Sequence, residues 1–185
     1  MWWFYTVVLG VSFGQILQEL ALGVREWSRG RGRPFPPAML WQVFLLVLVV
    51  QVWLAVTYYR ETVTRVSIAE LVAFLVVPAA ILVMSFLLPE SGADDGADPE
   101  TAFARVRPVF FGVLIGMVTV NLLHGFLVGE QGLDADLLFQ SLLVAGGLIG
   151  LAIRNRTADT VLAGALTTVL AVYIGVEYAT VPATD

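Results

Sequence analysis

Runs of about 20 apolar residues recur along the whole chain, and each is long enough to cross roughly 30 Å of hydrocarbon as a helix. A soluble fold has no place for so many of them. The 185 residues are 58% hydrophobic and 14% charged, with a mean hydropathy of +0.85. Ordinary soluble domains carry about 25% charge. These features predict an all-α integral membrane protein, a single membrane domain over residues 1–185 with spans at 3–24, 38–59, 66–88, 108–128, 136–153 and 158–178. The fifth is short and holds Gly146, Gly147 and Gly150, which suits a tilted span, a broken helix or a re-entrant segment.

The net charge is −5, and no basic patch or aromatic-interleaved groove interrupts the apolar runs, so nucleic acid is not an expected partner. The lipid bilayer is. The chain has no cysteine, which removes disulfides, thiolate metal sites and cysteine nucleophiles together. No basic region precedes Trp2 and no small-residue cleavage site follows the first apolar run, so that run reads as a retained span rather than a signal peptide.

All ten basic residues are arginine. Alternating the spans puts Arg25, Arg29, Arg31, Arg33, Arg105, Arg107, Arg154 and Arg156 on one side and only Arg60 and Arg65 on the other. The positive-inside rule then places the arginine-rich loops in the cytoplasm of a cell membrane and both termini outside. Trp2, Trp3, Tyr5, Trp53, Tyr58, Tyr59, Tyr173 and Tyr178 fall toward the outer interface, with Trp27 and Trp41 flanking the first cytoplasmic loop as amphipathic anchors.

Residues 89–107 form an acidic linker that begins Pro89-Glu-Ser-Gly-Ala-Asp-Asp-Gly-Ala-Asp-Pro-Glu100 and separates half one, 3–88, from half two, 108–178. The other cytoplasmic linker, Arg25 to Pro37, combines four arginines with Pro34, Pro36 and Pro37, an extended basic segment suited to anionic headgroups. Placing Gly10 over Gly112 also matches Val11 with Val113, Gly14 with Gly116, Leu20 with Leu122 and Gly23 with Gly125. Three spans per half would make this a three-plus-three inverted repeat. Chance similarity among residues that apolar spans use heavily is the competing explanation. Both copies carry Gly-x-x-x-Gly, so Gly10, Gly14, Gly112 and Gly116 are candidates for close helix packing, within the chain or in a homo-oligomer.

Charged groups in hydrocarbon cost about 2.5 to 3.5 kcal/mol each on insertion scales, so polar residues inside spans need an explanation. Ser12, Gln15 and Glu19 share one face of span one. They form either a solute or ion path, or a structural stripe with Glu19 paired to an arginine such as Arg25. In span four, Asn121 and His124, the only histidine, lie one turn apart. His124 either relays protons or is satisfied by a nearby carbonyl. Glu70 and Glu177, at outer span ends, are either an acidic vestibule or solvated helix ends. Pro78 should kink span three. Gln42, Gln51, Gln140, Ser141, Thr160, Thr167 and Thr168 are expected to bond between helices.

Asp94-Asp-Gly-Ala-Asp98 matches the Asp-Asp-x-x-Asp pattern with which membrane prenyltransferases hold magnesium. It sits in a Gly, Ala and Pro linker with no second acidic motif, so a solvated linker is the better reading. No catalytic residue, metal site or cofactor is expected. The functional expectation is a small channel or transporter for an ion or small polar solute. The alternative is a non-catalytic subunit that anchors or assembles a membrane partner.

Overall fold

In the computed structural model, residues 2–29, 36–62, 68–88, 99–128 and 135–178 are described. Among them six helices follow one another: α1 (Trp2–Ser28), α2 (Pro36–Thr62), α3 (Ile68–Leu87), α4 (Pro99–Val128), α5 (Ala135–Ala152) and α6 (Arg156–Glu177). Five are long and apolar enough to cross a membrane, and α3 contributes a shorter apolar helix over Phe74–Leu87. The architecture is compatible with a helical membrane protein.

The outer surface agrees. On α1, Tyr5, Leu9, Ser12, Ile16 and Glu19 are buried while Trp3, Phe4, Val7, Val11 and Leu17 are exposed. The buried set repeats every three to four residues and so faces one side of the helix. The opposite face is apolar too, and Trp3 is 83% exposed. Such a surface is costly in water and natural in hydrocarbon.

α2 packs on α1, α3 and α6; α4 packs on α3 and α5; α5 and α6 pack together, and α1 also lies on α3. Helices α2, α6, α5, α4 and α3 therefore form a ring, with α1 laid over the α2–α3 side. The close α1–α3 contact has no counterpart of equal closeness between α4 and α6, so the two halves differ in packing.

Three expectations change. First, α4 starts at Pro99, nine residues before the expected span. Proline suits a helix's first turn, where its missing N–H is no loss, and Glu100 follows in that turn. Buried Phe103, Arg107 and Phe110 then continue the inner face. Arg105 and Arg107 thus belong to a helix rather than to a linker. Second, α5 is one unbroken helix, about 27 Å long at 1.5 Å per residue. Its glycines serve packing: a Cβ on Gly150 would stand 2.4 Å from the Phe111 ring, and one on Gly147 2.6 Å from Ile115. Third, Trp41 is fully buried rather than an interfacial anchor. It packs edge-on against Phe44, Phe110 and Phe111, with ring centroids 5.1 to 5.4 Å apart, where the large ring fills the space between α2 and α4.

Gly10, Gly14, Gly112 and Gly116 do not pack helices together within the chain. No atom lies within 4 Å of a Cβ placed on any of them, because the close approaches fall on α5 instead. Helix α3 continues through Pro78.

Candidate functional site

A ring of five helices is hard to fill with side chains alone. At the end of the bundle where α1 begins and α6 ends, it lines a cavity of about 250 Å³, just below the roughly 300–1,000 Å³ usual for ligand sites. All six helices reach it. Its floor is apolar, with Leu48, Val77, Met117 and Leu143. Tyr5, Phe74, Phe139, Tyr173 and Tyr178 form aromatic walls, and Gln51, Asn121, Asp136, Gln140 and Glu177 supply polar groups. Both ionisable side chains among these, besides the phenols, are carboxylates, and among the described residues no lysine or arginine lines the cavity.

Asp136 organises the polar side. It stands in the first turn of α5, where a carboxylate suits the positive end of the helix dipole. The Tyr173 hydroxyl donates to Asp136 Oδ1 at 3.0 Å and Gln140 Nε2 donates to Oδ2 at 2.7 Å. Tyr173 is held in turn by stacking on Phe139, with centroids 4.3 Å apart and planes 6° from parallel. Gln140 is 4% exposed, and its Oε1 is buried without a hydrogen-bond partner. Its amide cannot usefully turn over, because an amide oxygen facing a carboxylate would set acceptor against acceptor.

The cavity gathers few of the residues singled out in the sequence. Asn121 and Glu177 line it; Ser12, Gln15, Glu19 and His124 do not. Ser12 and Glu19 are buried on the inner stripe of α1, and the Ser12 hydroxyl donates to its own helix at the Val8 carbonyl, 2.9 Å away. Gln15 is half-buried. His124 packs against Phe74 at 5.3 Å between ring centroids, and its Nε2 is buried without a partner. The Glu70 side chain and the Asp94–Asp98 motif lie outside the described residues. To this cavity α1 contributes Tyr5 alone, while Ser12 and Glu19 lie on the packed inner stripe of α1.

The hydroxyls of Ser141, Thr160, Thr167 and Thr168 also do not bridge helices. Each donates to a carbonyl four residues back in its own helix, at 2.7 to 2.9 Å, the usual alternative for a helical hydroxyl.

At the other end of the bundle is a second polar cluster. Arg107 Nε donates to the Gly150 carbonyl at 2.9 Å, Nη2 donates to the Ile153 carbonyl, and Nη2 lies 2.8 Å from Asp159 Oδ1. The guanidinium also stands 5.6 Å from the centre of the Phe111 ring. Arg107 thus closes the C-terminal end of α5, where carbonyls lack helical partners. Asp159 occupies the first turn of α6, capped by Asn155 accepting from the Thr157 amide. Each charge sits at the helix end whose dipole favours it.

No family model matches the chain, and no curated protein or solved structure matches it.

The sequence holds a signal for one of these features. Asp136 and Gln140 are spaced i, i+4, a pair that bonds on a helix surface. Gly150 and Arg107 had none, since their meeting depends on how α4 crosses α5.

Proposed function

We propose that this chain is a small integral membrane transporter or channel, and that the cavity bounded by Asp136, Gln140, Tyr173 and Glu177 is where its solute enters. The observation that carries this reading is a cavity reached by all six helices, lined on one side by carboxylates and amides, in a protein whose outer surface is apolar. Polar groups at membrane depth are costly unless they serve water, a solute or each other.

In this reading all six helices span the cell membrane, α3 included, with both termini and the cavity on the outer side. The arginines at the opposite end, among them Arg25, Arg29, Arg154 and Arg156, then face the cytoplasm and its anionic lipids. The cavity draws on every helix, so transport does not depend on an inverted repeat.

Flux into liposomes tests the function. Protein reconstituted with a panel of cations and small polar solutes should carry at least one of them, and Asp136→Asn should slow that flux while leaving the protein folded. Absence of flux across the panel, with a stable membrane partner co-purifying, would replace transport by an assembly role. Single cysteines at Gly30 and Ala183 test orientation without background labelling, since the chain has no cysteine. Outside labelling at Gly30 and not at Ala183 would reverse it.

A further inference from the structure

We infer that the cavity binds a small neutral aromatic alcohol, its ring held among the aromatic side chains and its hydroxyl on the Asn121 amide. The inference rests on the cavity being the solute site and names the class of solute.

The lining decides the body of the ligand. Leu48, Val52, Val77, Met117 and Leu143 make the floor apolar, and water gains little from such a space: an engineered cavity of about 150 Å³ lined by Leu, Ile and Phe stays dry and takes up benzene. At about 250 Å³ the present cavity has room for a single ring with a short hydroxyl-bearing arm. One wall is itself built of rings. Phe139 and Tyr173 stack with centroids 4.3 Å apart, and Tyr178 stands edge-on to Tyr173 at 6.4 Å with planes 88° apart. Tyr5 and Phe74 add rings from α1 and α3. Stacked and edge-on placements are the two in which aromatic rings attract one another beyond the area they bury, so an aromatic body gains more here than an alkyl body of the same size.

Asn121 decides the polar end. Its side chain lines the cavity and is exposed, within reach of a ligand, and among the described residues its amide has no hydrogen-bond partner. An amide offers both donors and an acceptor, and a hydroxyl answers either. A charged ligand fits less well, because an ion gives up its hydration against an apolar floor, and an anion would also meet Asp136 and Glu177. A purely alkyl alcohol matches the floor and the amide but makes no use of the rings.

The test is protection of a cavity thiol in the purified full chain in detergent micelles. Ala55 lines the cavity, so Ala55→Cys in the cysteine-free chain reports occupancy through its rate of reaction with a water-soluble thiol reagent. Benzyl alcohol is the probe, cyclohexylmethanol its non-aromatic counterpart and benzylammonium its charged one, while Ala183→Cys reports any general effect on the micelle. Near saturation benzyl alcohol should slow labelling of Ala55→Cys roughly tenfold, by mass action on the empty form, and leave Ala183→Cys unaffected. Cyclohexylmethanol and benzylammonium should protect less at equal concentration. Asn121→Leu should weaken protection by benzyl alcohol roughly two- to tenfold, as expected for loss of one hydrogen bond, and Met117→Trp, which adds bulk to the floor, should abolish it. Circular dichroism on each variant reports folding, and the order of the probes in the chain carrying only Ala55→Cys stands as a test even where a further variant fails to fold. An unchanged labelling rate in benzyl alcohol, equal protection by cyclohexylmethanol, stronger protection by benzylammonium, or protection unchanged in folded Asn121→Leu would each overturn the inference. Flux of another solute without protection by benzyl alcohol would retire this ligand class and leave transport standing. Protection without flux of any solute would do the reverse, and a thiol at Ala55→Cys that never labels would overturn both.

Discussion

The two ends of the bundle handle buried charge in opposite ways. At one end Arg107 and Asp159 meet at 2.8 Å, and Arg107 also serves two carbonyls of the α5 terminus. At the other, Asp136 holds Tyr173 and Gln140 but leaves a buried acceptor beside a cavity. The first cluster pairs opposite charges and ties α4 to the α5–α6 turn, whereas the second is acidic and borders open space, and it is the second that the proposed solute site uses.

This contrast should appear first in stability. Arg107→Ala or Asp159→Ala strands a buried charge and should destabilise the protein by about 3–5 kcal/mol, read as a lower unfolding midpoint in detergent. Asp136→Asn should cost much less stability, because a neutral amide can still accept from Tyr173, while it slows flux. Equal destabilisation at both ends would mean that the Asp136 cluster is also a fastening.

Glycine substitutions sharpen the same distinction between packed and open regions. Gly150→Ala drives a methyl into the Phe111 ring, beside Arg107, and overpacking of this kind costs about 1–3 kcal/mol. Gly14→Ala meets nothing within 4 Å and should be neutral or stabilising by up to about 1 kcal/mol from helix propensity. A large loss at Gly14 in the same thermal melts would reveal a contact with a second copy of the chain.

A small loss is expected at Tyr173. Removing its hydroxyl with Tyr173→Phe keeps the ring on Phe139 and loses one hydrogen bond, about 0.5–1.5 kcal/mol. A melting shift as large as that of Asp159→Ala would contradict the reading of this end as loosely tied.

Much of the fold was legible in the sequence because apolar length and a 3.6-residue period are local properties. The described helices begin and end within four residues of the expected spans except at Pro99, where a polar, proline-led stretch concealed a helix start. The site was harder to read. Polar residues in spans were found from their type alone, and type does not say which are closed by packing: Glu19 lies on a buried stripe of α1, while Asn121 borders a cavity. Asp136 stands in the first turn of α5, where an acidic residue has an ordinary explanation in sequence alone. Nothing local distinguishes Arg107 from the other arginines near span ends, and only the crossing of α4 with α5 shows it buried. The Gly-x-x-x-Gly pairs illustrate the converse, since the spacing occurs without a neighbour inside the chain to use it.

The most direct test of the central claim is thiol accessibility in intact vesicles, using the cysteine-free background. Ala55 lines the cavity, and Ala165 sits exposed midway along α6, on the outer surface. The account predicts that a membrane-impermeant thiol reagent added on the side of the termini labels Ala55→Cys and leaves Ala165→Cys unlabelled, the first reached by water and the second covered by lipid. Failure to label Ala55→Cys from that side, or ready labelling of Ala165→Cys, would contradict it.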